Sequence, residues 1–401
     1  MQIAFLLPQI GINGGIYVVL EYATRINVKP NVEVFIITEK PTLIEDYSWH
    51  TSAHELKFIT LQEVNCFKFD ITFATSWSTV FFLPSVKSLV YAYFVQSIES
   101  RFFLNKDQLF PLMADFTYAC NIPTITEATW IKEYLYDKYG SSSYLVKNGI
   151  RKDLYRTDGA LIKPRDRHIL RVLVEGPLGV SFKNVEKTLT LCKKSLADEV
   201  WLLTSSKTSD LSLADRVFSH ITIEQVPLVY RSCDVIVKLS YVEGMFGPPL
   251  ELFHCGGTAI VYDVTGHDEY IINNHNGIVI APDDEIGVIN AINELKRNPD
   301  KLAQLKLHAL ETANAWHDWA SASEDFFNAS EELISNASNN NKNNKHLLEL
   351  IDNFKRVVEL RDDHTILNQI INSTSWRLTK PLRYFNQLLK NLKWKLNTKF
   401  R

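Results

Sequence analysis

The chain has 401 residues, 46% apolar and 22% charged, with 15 Gly and 14 Pro, a composition that excludes collagenous and disordered classes. At roughly 150 residues per domain the length fits two domains with a remainder. Lys+Arg 43 against Asp+Glu 46 leaves a net charge of −3, which argues against a protein built to coat nucleic acid.

In chain order, Gln2–Leu7 reads as a first strand rather than the apolar core of a signal peptide. A loop with Gly11, Gly14 and Gly15 follows, then a helix over Ile16–Ile26 and a β-branched strand over Val32–Thr38. This order opens a parallel α/β sheet. Asp70–Ala74, Leu89–Phe94 and Phe116–Ala119 are expected as further strands and Thr129–Tyr139 as a helix. The most apolar region, residues 79–95, is broken by Pro84 and Lys87, so no transmembrane helix is expected. After a polar stretch around Asn148–Asp166 the pattern restarts with a strand at Arg171–Glu175 and a helix at Val185–Lys194. Glu199–Thr204, Asp234–Leu239 and Thr258–Tyr262 are expected strands, and Glu285–Lys296 and Lys301–Ala315 expected helices. The division is therefore 1–160 and 161–330, two Rossmann-like, doubly wound halves facing a cleft, with ligands expected at strand C-termini between them.

Residues 331–375 read as a polar linker, densest in Asn over 336–345, and a helix. Leu347, Ile351, Phe354 and Val358 recur there at coiled-coil spacing, which marks 346–372 as a self-pairing or packing element. Residues 376–401 carry eight Lys or Arg and no acid, so the other 375 residues hold −11. Leu378, Leu382, Phe385, Leu389, Leu392 and Leu396 make one apolar stripe on this basic tail. It suits either a membrane surface or packing on the protein itself. Cys66, Cys120, Cys192, Cys233 and Cys255 are scattered without a C-x-x-C pair and read as reduced thiols of a cytoplasmic protein.

The segment Ser240–Gly257 concentrates the chemistry. Glu243 and Glu251 stand eight residues apart, a spacing that Glu55/Glu63 and Glu324/Glu332 repeat elsewhere by chance; their setting is what distinguishes them. Glu243 closes a strand and loop, Gly244 and Gly247 let backbone N–H groups approach a ligand, and Pro248 or Pro249 can open a helix. A helix N-terminus beside such a loop suits a diphosphate. A carboxylate one turn further in can accept hydrogen bonds from two ribose hydroxyls. No D-x-D, G-x-S-x-G, Walker A or H-E-x-x-H pattern competes with this reading.

Glu243–Glu251 with its flanks, Gly14-Gly15, Asn148-Gly149 and Asn276-Gly277 resemble the retaining family 4 glycosyltransferases, most closely over 226–282 and in the manner of bacterial surface-polysaccharide enzymes. The resemblance implies the GT-B fold, a nucleotide-sugar donor bound mainly by the second half, and no metal or other cofactor. It implies Glu243 beside the donor sugar, Glu251 on the ribose, and the backbone of Gly244, Met245, Phe246 and Gly247 on sugar hydroxyls or phosphate. Lys183 matches the family's phosphate-binding lysine, while Glu175-Gly176-Pro177 stands where many members carry an arginine. Gly14 and Gly15 would approach the donor phosphate or the acceptor. Gln96 and Glu99 are acceptor-side candidates in a loop where relatives have a histidine, and His267 and Asp268 are candidates for a cleft loop. The expected activity is transfer of a sugar to a lipid-linked glycan at the cytoplasmic face of the membrane. A nucleotide-sugar epimerase on the same fold, or an inactive membrane adaptor, stand as alternatives.

Overall fold

A computed structural model describes residues 1–103, 109–337 and 341–359. The basic tail, and the part of 346–372 beyond Glu359, lie outside the described residues.

Seven parallel strands form the first sheet: β1 (Gln2–Leu6), β2 (Glu33–Thr38), β3 (Lys57–Thr60), β4 (Phe69–Ala74), β5 (Ser88–Val95), β6 (Thr124–Thr126) and β7 (Ser143–Leu145), in the order β3-β2-β1-β4-β5-β6-β7. Six parallel strands form the second: β8 (Arg171–Glu175), β9 (Glu199–Thr204), β10 (Arg216–Ser219), β11 (Val235–Lys238), β12 (Thr258–Tyr262) and β13 (Gly277–Ile280), in the order β10-β9-β8-β11-β12-β13. Helices cover both faces, which is why the long strands read as unbroken apolar runs. In each sheet the strand order reverses beside the first strand, at β1/β4 and at β8/β11. A crevice therefore opens past the C-terminal ends of those strands.

One expected strand is a helix. Phe116–Ala119 closes the helix Leu109–Ala119. Pro111 sits in its first turn, where a missing N–H costs nothing, and Phe116 and Tyr118 pack beneath it rather than along a sheet. The strand in this region is instead the short β6.

The chain crosses between the halves twice, and the crossings touch. Ile150 N donates to His317 O at 3.2 Å, and Trp316 Nε1 donates to Asn148 O at 2.9 Å. Gly149 permits this approach, since a Cβ there would lie 2.3 Å from Trp319 N. After the second crossing the helix Trp319–Ala337 packs on the first half, with Phe326 among Phe5, Tyr22, Phe73 and Phe94. Residues 319–330 thus belong to the first body, not to the second as the sequence division placed them. The helix Asn341–Glu359 follows the same way. Leu347, Leu350, Ile351 and Phe354 are buried in the first half's core. Of the two roles expected for its apolar face, packing on its own protein is the one seen. Phe354 stacks on Phe116 with ring centroids 3.8 Å apart. Phe354→Ala is expected to destabilise the first half by about 3–5 kcal/mol, read from its urea midpoint.

Candidate active site

The two carboxylates singled out in the sequence, Glu243 and Glu251, both act on Lys238 at the end of β11. Glu243 follows β11 after a loop and is 6% exposed. Lys183 ends the single 3-10 turn Ser181–Lys183 after β8, and Asn184 then adopts φ 55° as the chain turns into the helix Val185–Lys194. Lys183 Nζ lies 2.8 Å from Glu243 Oε2. This pairing brings together two residues 60 apart in sequence, a contact between the two candidates that the sequence reading did not anticipate.

A second lysine joins them. Lys238, the last residue of β11, is buried with Nζ 2.6 Å from Glu175 Oε2 and 3.8 Å from Glu243 Oε1. Burial opposes its charge, but Glu175 and Glu243 outweigh that and raise its pKa. For Glu243 burial works the other way and is outweighed by Lys183 and Lys238, which hold its carboxyl below the usual range. Sequence reading missed Lys238, although a lysine inside an apolar parallel strand is itself a signal, because such a charge must find a partner.

Glu251 lies in the helix Gly247–His254, one turn beyond its start. Burial, reinforced by the charge of Glu175, pushes its carboxyl up to about 7, against the opposing hydroxyls of Tyr230 and Tyr155. The loop before this helix is held at three points. Trp130 Nε1 donates to Gly244 O at 3.0 Å, Met245 N donates to Glu127 Oε1 at 3.0 Å, and the Tyr270 hydroxyl donates to Phe246 O. Phe246, with φ 63°, occupies the left-handed region that a bulky side chain adopts only when its surroundings impose it. Met245 N is therefore engaged by the protein. The amides of Gly244 and Phe246 donate to no group among the described residues.

On the facing side, Gly14 and Gly15 open the helix Gly14–Asn27, capped by Asn13 Oδ1 on Ile16 N at 2.9 Å. Neither glycine has a positive φ, so no turn demands them. A Cβ on Gly14 would touch nothing, and one on Gly15 would meet the Gln96 side chain at 3.5 Å. Gln96 thus faces the crevice, with Oε1 buried and unpartnered. Glu99 turns inward, accepting from Trp77 N at 2.6 Å and from the Tyr93 hydroxyl at 2.9 Å, and burial raises its carboxyl to about 7. It fixes its own loop. His267 Nδ1 contacts Val264 O at 2.6 Å and Asp268 is exposed. Their neighbour Glu269 makes the cross-cleft contacts instead: it accepts from Thr129 N at 2.5 Å and lies 2.6 Å from Lys147 Nζ.

Residues 204–311, which include Glu243 and Glu251, match the family model described as Glycosyl transferases group 1. Over 106 residues the chain is 30% identical to the D-inositol 3-phosphate glycosyltransferase of Stackebrandtia nassauensis, an alignment covering 26% of this chain and 24% of that protein. The chain thus spans about a quarter of the length of the curated relative it matches. In three dimensions it is similar to HepE of Anabaena, solved with UDP and glucose, at a TM-score of 0.66 and 14% identity over 82% of this chain and 98% of that one. It is equally similar to sucrose-phosphate synthase from Thermosynechococcus elongatus, at a TM-score of 0.66 and 16% identity over 83% and 99%. The fold is the expected GT-B arrangement. Among the described residues, no helix is long and apolar enough to cross a membrane.

Proposed function

We propose that this chain transfers a sugar from a nucleotide-sugar donor to a glycan acceptor, with retention and without a metal. The observation that carries the reading is the pairing of Lys183 with Glu243 at a topological switch point, with Glu251 joined to them through Lys238, beside a strained loop with two amides free among the described residues. Glu251 would accept hydrogen bonds from the ribose hydroxyls. Lys183 and the first turns of the helices Val185–Lys194 and Gly247–His254 would meet the diphosphate charge. The acceptor hydroxyl would attack the anomeric carbon on the face the diphosphate leaves. The C–O bond to phosphate breaks as the new glycosidic bond forms, and the departing phosphate oxygen takes the proton. Lys183 and the backbone amides would stabilise the leaving charge. A lipid-linked acceptor in surface polysaccharide synthesis fits the composition of residues 376–401, whose eight cationic side chains suit an anionic bilayer.

The test is a thermal-shift screen against UDP, GDP and dTDP, followed by turnover of the matching nucleotide-sugars with and without a membrane-lipid extract. One nucleotide is expected to raise the melting temperature by mass action, and Glu251→Ala to remove most of that rise. Consumption of donor only with the extract supports transfer. Consumption without it points to epimerisation or hydrolysis, and no nucleotide binding at all overturns the reading.

A further inference from the structure

Glu127 stands just past β6, in the half that faces the donor side, and is 6% exposed. Its two oxygens look in different directions. Oε2 accepts from Asn148 Nδ2 at 2.6 Å, and Asn148 Oδ1 in turn accepts from the Tyr22 hydroxyl at 3.1 Å, so the carboxyl is oriented by the first half and by the crossing segment. Oε1 reaches across the crevice and accepts from Met245 N at 3.0 Å. Trp130, three residues on, donates to Gly244 O. Glu269 answers from the second half by accepting from Thr129 N, an anion placed at the start of the helix Thr129–Tyr139. The contact is close enough that a Cβ on Gly244 would lie 2.1 Å from Gln96 O and 2.5 Å from Glu127 Oε1. Two of the three hydrogen bonds that hold Gly244–Phe246 thus come from the opposite half, and they flank the two amides that donate to nothing in the described protein.

We infer that Glu127 is a positioning residue for the donor sugar. By accepting from Met245 N it fixes the loop conformation in which Gly244 N and Phe246 N are left to bind sugar hydroxyls, so the sugar pocket is complete only when the halves are docked. The inference rests on reading the crevice as a nucleotide-sugar site. The nucleotide contacts are made by Glu251 and Lys183 of the second half, whereas the affinity added by the sugar depends on the loop that Glu127 anchors. A glutamine can still accept from Met245 N once the Asn148 amide reverses, so it preserves the anchor and an alanine does not.

The full chain is titrated with UDP, GDP, UDP-glucose, UDP-N-acetylglucosamine and GDP-mannose, and amide hydrogen exchange is followed over residues 244–246. In Glu127→Ala the exchange of this segment is expected to quicken at least tenfold. The nucleotide alone should bind within twofold of wild type, and the extra affinity conferred by the sugar should vanish. Glu127→Gln should restore both. Trp130→Phe, which removes the Gly244 bond while keeping an aromatic ring under Arg101, should give an intermediate exchange rate and carries the test if the alanine variant fails to fold. Wild-type exchange at 244–246 in Glu127→Ala, or a sugar increment that survives quickened exchange, overturns the inference. If wild type binds none of the five ligands, the functional reading falls, and the exchange rates alone decide whether Glu127 anchors the loop.

Discussion

Gly244→Ala is expected to lower sugar transfer by at least a hundredfold while leaving nucleotide affinity within a few-fold of wild type. The cause is steric and lies between the halves. The nearest obstacle to the added methyl, at 2.1 Å, is the backbone carbonyl of Gln96, which cannot rotate aside as a side-chain tip would. The second, at 2.5 Å, is the carboxyl of Glu127, already fixed by Asn148. Relief therefore requires the halves to separate or the Gly244–Phe246 loop to shift. Displacement of about 1 Å at a reacting centre is enough to cost a hundredfold. Glu251 and Lys183 sit on the second half alone and would keep their hold on nucleotide. Gly11→Ala is the matched control, because a Cβ there meets nothing within 4 Å. Donor-transfer kinetics beside a UDP titration read the split directly. Full activity in Gly244→Ala would mean that chemistry proceeds with the halves apart.

That expectation turns on contacts the sequence did not disclose, and the reason is physical. Glu243, Glu251 and Lys183 were legible because each belongs to a local strand–loop–helix unit, whose apolar run, glycines and prolines are neighbours in the chain. Glu127 is as buried as Glu243 but acts on Met245 across 118 residues, a distance at which local pattern carries no signal. The strand that delivers it, β6, has only three residues, Thr-Ile-Thr, too few for alternation to stand out. Assigning Phe116–Ala119 to a strand then took its place in the expected sheet. β3, β7, β10 and β13 escaped because they are three or four residues long and only partly buried, whereas the four-residue β11 is buried throughout and was legible. The long central strands β1, β2, β4 and β5 were read correctly because burial on both faces forces apolar residues at nearly every position. Legibility thus followed the length and burial of the element and the chain distance of the contact, not the importance of the residue.

Glu243→Gln is expected to tighten UDP binding about tenfold and yet lower transfer a hundredfold or more. Two lysines and two carboxylates share this corner: Lys183 lies 2.8 Å from Glu243, and Lys238 lies 2.6 Å from Glu175. Both lysines are already paired, and Glu251 adds a further carboxyl beside Lys238, so neither lysine is free for an incoming diphosphate until one pair opens. Lys183 is the one able to turn, with 22% of its side chain exposed against 2% for Lys238. Neutralising Glu243 removes the anion that competes for Lys183. A gain of about 1.4 kcal/mol, tenfold in affinity, is of the size of one partly screened charge contact. The same change removes the carboxylate from beside the sugar, where the reading needs it. Lys183→Ala must behave differently, because it deletes the cation that both UDP and the leaving diphosphate use. It is expected to weaken UDP and to slow transfer by about a hundred- to a thousandfold, the loss typical of removing one donor to a developing anion. Opposite signs on UDP affinity with the same sign on turnover would mark Glu243 and phosphate as rivals for one ammonium. Weaker UDP binding in Glu243→Gln would instead show that Glu243 orients Lys183 toward the phosphate rather than withholding it.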